Sequence, residues 1–104
     1  MNAETKRAVQ TALAAAKVAR LAANDAFLAA RFADADPTDA LRAAAYEAAV
    51  KANRVGRAAE EAAMDIDPEE AFEHADVWQA HCFALGAFDR AMRATRLALE
   101  ASGF

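Results

Sequence analysis

Alanines recur at alternating spacings of four and three residues through the first third of the chain. The series is Ala8, Ala12, Ala15, Ala19, Ala22, Ala26, Ala29 and Ala33. This coiled-coil spacing keeps one stripe of a helix facing a partner helix. The all-alanine stripe resembles the Ala-coil, a tight antiparallel pairing of helices that is a class of packing and implies no function. We predict a first helix over about residues 3–33.

The same spacing appears in two later segments, which we predict as helices over about residues 37–64 and 68–102. The second stripe is Leu41, Ala45, Ala48, Ala52, Val55, Ala59 and Ala62. The third stripe is Val77, His81, Ala84, Phe88, Ala91, Thr95 and Ala98. The third segment also contains the only Trp, the only Cys and three Phe, so we expect the two thinner helices to pack against it.

The motif Asp-x-Asp-Pro occurs at 34–37 and again at 65–68, between the predicted helices. Proline disfavours the helical conformation in the residue before it, so Asp36 and Asp67 are predicted N-caps followed by proline as the first helical residue. Asn2 is the predicted cap of the first helix. Because both connections are about three residues long, consecutive helices must run antiparallel.

The composition supports only an all-α fold. Alanine, which has the highest helix propensity, accounts for 34 of the 104 residues, while three Gly and two Pro leave few places to interrupt a helix. A chain of this length forms one domain. We therefore predict a single domain over residues 1–104, an antiparallel three-helix bundle of long Ala-rich helices with tight, Ala-coil-like heptad seams.

Larger apolar side chains lie beside the alanine stripes and form faces wider than one small bundle can bury. The candidate interface residues are Trp78, Leu85, Met92, Leu99, Leu21, Leu28, Phe32 and Tyr46. Because alanine buries little apolar area, pairing two copies would supply burial that one copy lacks. We predict a homodimer. The alternative is that the same surface binds a different protein.

The net charge of −4 is unevenly distributed. Residues 1–57 carry nine Lys or Arg and six Asp or Glu, residues 58–89 carry nine acids and no Lys or Arg, and residues 90–104 are net +2. The overall acidity argues against direct binding to nucleic acid. The acidic run is also compatible with imitation of a phosphate backbone, or with a solvated helix hairpin whose charge is partly neutralised by nearby Lys6 and Arg7.

No group of residues indicates catalysis. The chain has no Ser-His-Asp set, Gly-rich phosphate loop or Cys-x-x-Cys pair, so we predict that it is not an enzyme and needs no cofactor. Glu70, His74 and His81 lie near one face of the predicted third helix, but the two His are about 10 Å apart along its axis, too far to chelate one ion. We predict no metal site, a single structural hydrogen bond for His81 and a buried apolar role for Cys82.

The lone Cys cannot form an internal disulfide, which fits a reducing cytoplasm. Gln10, Thr11 and Lys17 interrupt the first apolar run too early for a signal peptide. No run of about 18 uncharged apolar residues is present to span a membrane. We predict a small cytoplasmic adaptor or inhibitor that acts by protein–protein interaction. The alternatives are a small-ligand or metal-binding bundle using the third helix, and an acidic nucleic-acid mimic that inhibits a nucleic-acid-binding protein.

Overall fold

The structure, a computed structural model, describes every residue from Met1 to Phe104. It consists of four helices and no strand: α1 (Ala3–Ala35), α2 (Asp39–Met64), α3 (Pro68–Glu73) and α4 (Ala75–Ser102). α1, α2 and α4 each pack against the other two, and α3 packs against α4. The molecule is a rod of 52 × 16 × 16 Å. The prediction of an all-α fold is confirmed, and no helix combines the length and the apolarity that crossing a membrane requires.

The predicted continuous helix over residues 68–102 is wrong, because the chain leaves the helical conformation at His74. This residue has φ −129° and ψ 117°, and it separates α3 from α4. Ala71 and Val77 are both buried in the same core cluster. Residues six apart on one continuous helix would point about 120° apart. The extended residue between them lets both side chains reach the core.

Side-chain caps fix the starts of α1 and α3 as predicted. The Thr5 N–H donates to Asn2 Oδ1 at 2.7 Å, and the Glu69 N–H donates to Asp67 Oδ1 at 3.0 Å. Each of these bonds satisfies a backbone donor that the helix itself cannot pair. The sequence therefore locates both helix starts to the residue.

The start of α2 differs from the prediction. Asp36 does not cap α2 but ends α1, where its N–H donates to the Phe32 carbonyl oxygen at 3.0 Å. The cap of α2 is Thr38, whose Oγ1 accepts from the Leu41 N–H at 3.2 Å. Because α1 continues to Ala35, the chain reverses after Asp36 and a residue beyond the proline becomes the cap.

Two hydrogen bonds tie opposite ends of α2 to α4. Arg42, near the start of α2, donates from Nε to the Ser102 carbonyl oxygen at 3.1 Å. His81, near the start of α4, lies with Nδ1 at 2.9 Å from the carbonyl oxygen of Ala63, near the end of α2. These pairs show that α2 and α4 run antiparallel. α4 then ends at Gly103, whose φ of 75° is the left-handed conformation that glycine adopts most readily.

The buried interior is almost entirely alanine. Every buried apolar side chain other than Ile66 and Val77 belongs to alanine. Methyl groups let the helices lie close together, but each removes little apolar surface from water, worth about 0.8 kcal/mol per buried methylene-sized group. The core is therefore tightly packed, and each of its side chains buries little apolar area.

The interior stripe on each helix only partly follows the predicted heptad positions. On α4 its residues are Val77, Ala80, Ala84, Ala87, Ala91, Ala94 and Ala98. The predicted His81, Phe88 and Thr95 are only half-buried, and the alanine before each of them lies inside instead. On α1 and α2, where the buried and predicted positions differ, the buried residue is instead the one after the predicted position, as at Ala16 and Ala49. Each helix faces two neighbours, so its buried stripe is centred between them, where methyl groups fit and larger side chains do not.

Gly56 lies at a very close approach between α2 and α4. It is buried, and a Cβ added there would lie 2.7 Å from Ala91 Cβ and 2.9 Å from Met92 Cε. Gly86, on α4, offers the opposite situation, since an added Cβ would have no neighbour within 4 Å. The two glycines therefore form a matched pair for testing how tightly the helices pack.

We expect Gly56→Ala to lower the free energy of unfolding by about 1–3 kcal/mol, because overpacking outweighs the gain in helix propensity. Gly86→Ala should raise it by up to about 1 kcal/mol, because the propensity gain meets no opposing contact. Urea unfolding followed by circular dichroism measures both. Shifts of the same sign for the two variants would contradict the close approach at Gly56.

A second test enlarges an interior alanine. Ala52 is fully buried on α2, whereas Ala58 on the same helix is exposed. Ala52→Leu should lower the free energy of unfolding by about 1–3 kcal/mol, since the interior has no space for the added carbons. Ala58→Leu should change it by less than about 0.5 kcal/mol. Equal thermal melting temperatures for the two variants would show that the interior is not limited to methyl groups.

Candidate interaction surface

The large apolar side chains that the interior excludes lie on the outside of the rod. The exposed ones are Met1, Leu13, Val18, Leu21, Leu28, Phe32, Tyr46, Val50, Met64, Phe72, Trp78, Phe83, Leu97 and Phe104. Isolated apolar residues on a protein surface are normal, and contiguous groups are what indicate an interaction site. Two such groups stand out, one on α1 with α4 and one on α3 with α4.

α1 is apolar on two opposite sides. Its inward side is alanine, whereas Leu21, Leu28 and Phe32 follow one another on the outward side and are 61%, 49% and 58% exposed. Their spacings of seven and four residues place them along one stripe of the helix. A helix at the edge of one bundle needs a single apolar face. The second apolar face of α1 therefore has no partner within this chain.

Beside this stripe, α1 and α4 enclose an open groove of about 630 Å³. Leu13, Leu21 and Phe83 supply its large apolar side chains, Lys17 and Arg20 supply its charge, and none of its lining residues is acidic. The Arg20 guanidinium lies 5.2 Å from the centroid of the Phe83 ring, within the range of a cation–π contact. We refer to these five residues as the basic groove.

A further cation extends the positive charge along the contact between α1 and α4. Arg90 donates to Asn24 Oδ1 at 2.9 Å and lies 5.2 Å from the centroid of the Phe27 ring. Arg90, Lys17 and Arg20 have no carboxylate oxygen within 4.0 Å. The charges of these three cations are therefore not neutralised by ion pairs within the chain.

The surface around α3 and the start of α4 has the opposite charge. Phe72 is 88% exposed and contacts Trp78, with ring centroids 6.5 Å apart. Glu73 lines the same surface depression as both rings, and Glu69, also exposed, lies three residues before Phe72 on α3. No Lys or Arg occurs between residues 58 and 89. We refer to Phe72, Trp78, Glu69 and Glu73 as the acidic aromatic patch.

The structure divides the predicted interface residues into two sets. Trp78, Leu21, Leu28, Phe32 and Tyr46 are exposed. Leu85, Met92 and Leu99 are half-buried against the alanine core. Met92 approaches Gly56 on α2, so this side chain already contributes to the contact between α2 and α4. Tyr46 contacts Phe104 edge to face, with ring centroids 5.3 Å apart, which groups it with the C-terminus rather than with α1.

Sequence reasoning missed the basic groove. Leu13 and Phe83 belong to neither the predicted alanine stripes nor the predicted interface, and they come together only because α1 and α4 pack side by side. These helices are not consecutive, so no short turn sets their register. The sequence does contain one indication of this surface. A large residue that lies off an all-alanine stripe does not fit inside the bundle and must lie outside it.

Glu70, Glu73 and His74 bring possible metal ligands together at the junction of α3 and α4. One ligand atom from each lies within 4.8 Å of the others, and His74 Nε2 is 3.3 Å from Glu70 Oε2. His81 is not part of this group. Its Nδ1–H donates to the Ala63 carbonyl oxygen, since a carbonyl can only accept. The hydrogen bond predicted for His81 is therefore present.

The prediction that Cys82 is buried is wrong. Its side chain is exposed on α4. Ala80 and Ala84 occupy the interior two residues before and after it. Successive residues of a helix are about 100° apart. A residue that lies two positions after one inward-facing residue and two positions before another therefore points outward.

No protein-family model matches this chain, and comparisons with curated proteins and with solved structures find no match either. Its function is therefore inferred from the chemistry of its own surfaces. The two apolar groups carry opposite charges, and both lie outside the alanine core.

We expect zinc to leave the melting temperature unchanged apart from nonspecific binding. The group at the junction of α3 and α4 offers one His and two carboxylates, Cys82 is not part of it, and Glu73 is exposed. Structural zinc sites usually require four ligands rich in Cys and His. Thermal melts across a zinc titration measure the effect, with His74→Ala as the control variant. A saturable, stoichiometric rise that His74→Ala abolishes would contradict this expectation.

Proposed function

We propose that this protein is a non-catalytic protein–protein interaction module that self-associates as a homodimer. The observation that supports the proposal is the distribution of apolar side chains by size, with the small ones inside the molecule and the large ones outside. Alanine fills the interior, while the larger Leu, Phe and Trp side chains are concentrated on the surface. Large apolar side chains in contiguous surface groups are typical of protein interfaces.

The energetics favour this proposal. Burying a Leu, Phe or Met side chain stabilises by about 1.5–3 kcal/mol, against about 0.8 kcal/mol for one methylene-sized group. The large apolar side chains that remain exposed could therefore contribute further stabilisation if a partner buried them. A standard interface removes roughly 800 Å² per partner. The molecule exposes 6463 Å², so one such interface occupies a modest part of its surface.

We also propose how the helices are arranged. α1, α2 and α4 form an antiparallel three-helix bundle with Ala-coil-like seams, and α3 is a short turn of helix ahead of the third long one. The alternating spacings of three and four residues on α4 support these seams, as does the close approach at Gly56. The compartment that we propose is the cytoplasm, because the one thiol of the chain is a free, exposed Cys82.

In cellular terms, the module is a small adaptor or inhibitor. A second hypothesis is divalent-metal binding at Glu70, Glu73 and His74, supported by the proximity of their ligand atoms. The zinc titration tests it. The acidic nucleic-acid mimic gains no support, because the exposed acids of α3 accompany Phe72 and Trp78, which a phosphate backbone does not resemble.

Light scattering at micromolar concentration tests self-association. A homodimer has a mass of about 22 kDa, twice the 11.0 kDa of the chain. We expect that mass for the natural sequence. Leu21→Glu, on the exposed face of α1, should raise the dissociation constant at least about tenfold, because a carboxylate is costly to bury.

The matched control is Ala58→Glu, which adds the same charge at an exposed position of α2. It should leave the mass near 22 kDa, and far-ultraviolet circular dichroism should show equal helicity for both variants. A mass near 11.0 kDa for the natural sequence would exclude the homodimer and reassign the apolar surface to a different partner protein.

A further inference from the structure

We infer that two copies of this chain pair by placing the acidic aromatic patch of one copy in the basic groove of the other. The inference rests on the self-association proposed above and specifies the surfaces in contact. Phe72 and Trp78 of one copy lie against Leu13, Leu21 and Phe83 of its partner. Glu69 and Glu73 lie at the edge of this contact, facing Lys17 and Arg20.

Charge complementarity is the first support. The acidic aromatic patch lies in a segment, residues 58–89, that contains no Lys or Arg. No acidic residue lines the basic groove, and Lys17 and Arg20 have no carboxylate oxygen within 4.0 Å. Groove-to-groove or patch-to-patch contact would bring like charges together, which is unfavourable. Of the pairings between these two surfaces, only the mixed one joins opposite charges.

Shape is the second support. Phe72 protrudes and is 88% exposed, whereas the basic groove is concave. Its volume of about 630 Å³ falls within the range of clefts that hold ligands, roughly 300–1,000 Å³. Phe83 at its wall offers an aromatic surface to the incoming rings, and aromatic pairs are favourable beyond the area they bury.

The positions of the two surfaces on α4 permit a closed dimer. Trp78 and Phe83 are five residues apart, which places them about 140° apart around the helix at about 100° per residue. Cys82 and Gly86, both exposed, lie between them on the outward side of α4. Two copies that face each other across this side can therefore form both contacts at once, as two-fold symmetry requires.

Charge reversal in two variants tests the pairing. The groove variant carries Lys17→Glu and Arg20→Glu, and the patch variant carries Glu69→Lys and Glu73→Lys. Each variant by itself would meet like charge at both contacts, so we expect a mass near 11.0 kDa for each. An equimolar mixture restores opposite charges at both contacts and should return to about 22 kDa, twice the chain mass of 11.0 kDa.

The control variant carries Arg54→Glu and Arg57→Glu, which changes the net charge as the groove variant does but on exposed positions of α2. It should remain a dimer. Phe72→Ser tests the apolar part of the contact without a change of charge, and it should raise the dissociation constant at least about tenfold. Circular dichroism on every variant shows whether the helices are retained.

The possible failures are distinguishable. If the natural sequence has a mass of 11.0 kDa, self-association and this inference are both wrong. If the natural sequence is a dimer and the groove and patch variants remain dimers on their own, self-association stands but this pairing is wrong. If both variants become monomers and their mixture does not form a dimer, the two surfaces do not contact each other and the inference is also wrong.

Discussion

The short distance between helices is the constraint on which the structure depends. Three long helices pack around a core in which alanine methyl groups replace the leucines of most bundles. At Gly56 even a methyl group would lie 2.7 Å from Ala91 Cβ. Close packing of this kind makes the volume of each interior residue critical. Most side chains larger than alanine therefore lie at the ends, at the edges of the helix contacts or on the outside of the rod, and the buried exceptions are Thr5, Ile66, Val77 and Ser102.

The same constraint determines the character of the surface. Leu, Phe and Trp side chains that cannot enter the core lie beside charged residues, cations near Phe83 and acids near Phe72. The result is two surfaces that match in apolar character and differ in charge. In the pairing that we propose, apolar contact supplies affinity, and the opposite charges specify which surfaces meet. Packing inside one chain thus provides the features that would direct contact between two.

The sequence predicted the helical class and the caps at Asn2 and Asp67, because these follow from local spacing and propensity. It did not predict the break at His74, because nothing in the residues near 74 interrupts a helix. The break follows from the joint burial of Ala71 and Val77, which is a tertiary effect. The basic groove was missed for a similar reason, since it depends on the register of two helices that are not consecutive. Three predicted positions in each seam are only half-buried, because alternating spacings of three and four residues fit two neighbouring stripes equally well.

A core made of alanine also links stability to association. Larger interior side chains would overpack the contacts, so the interior offers little room for a gain in hydrophobic burial. The remaining apolar surface is outside, and it can be removed from water only by contact with another molecule. Binding of a partner to the folded chain adds to the free energy of folding by mass action. In the homodimer that we propose, the surface that binds the second copy therefore also helps to stabilise the fold.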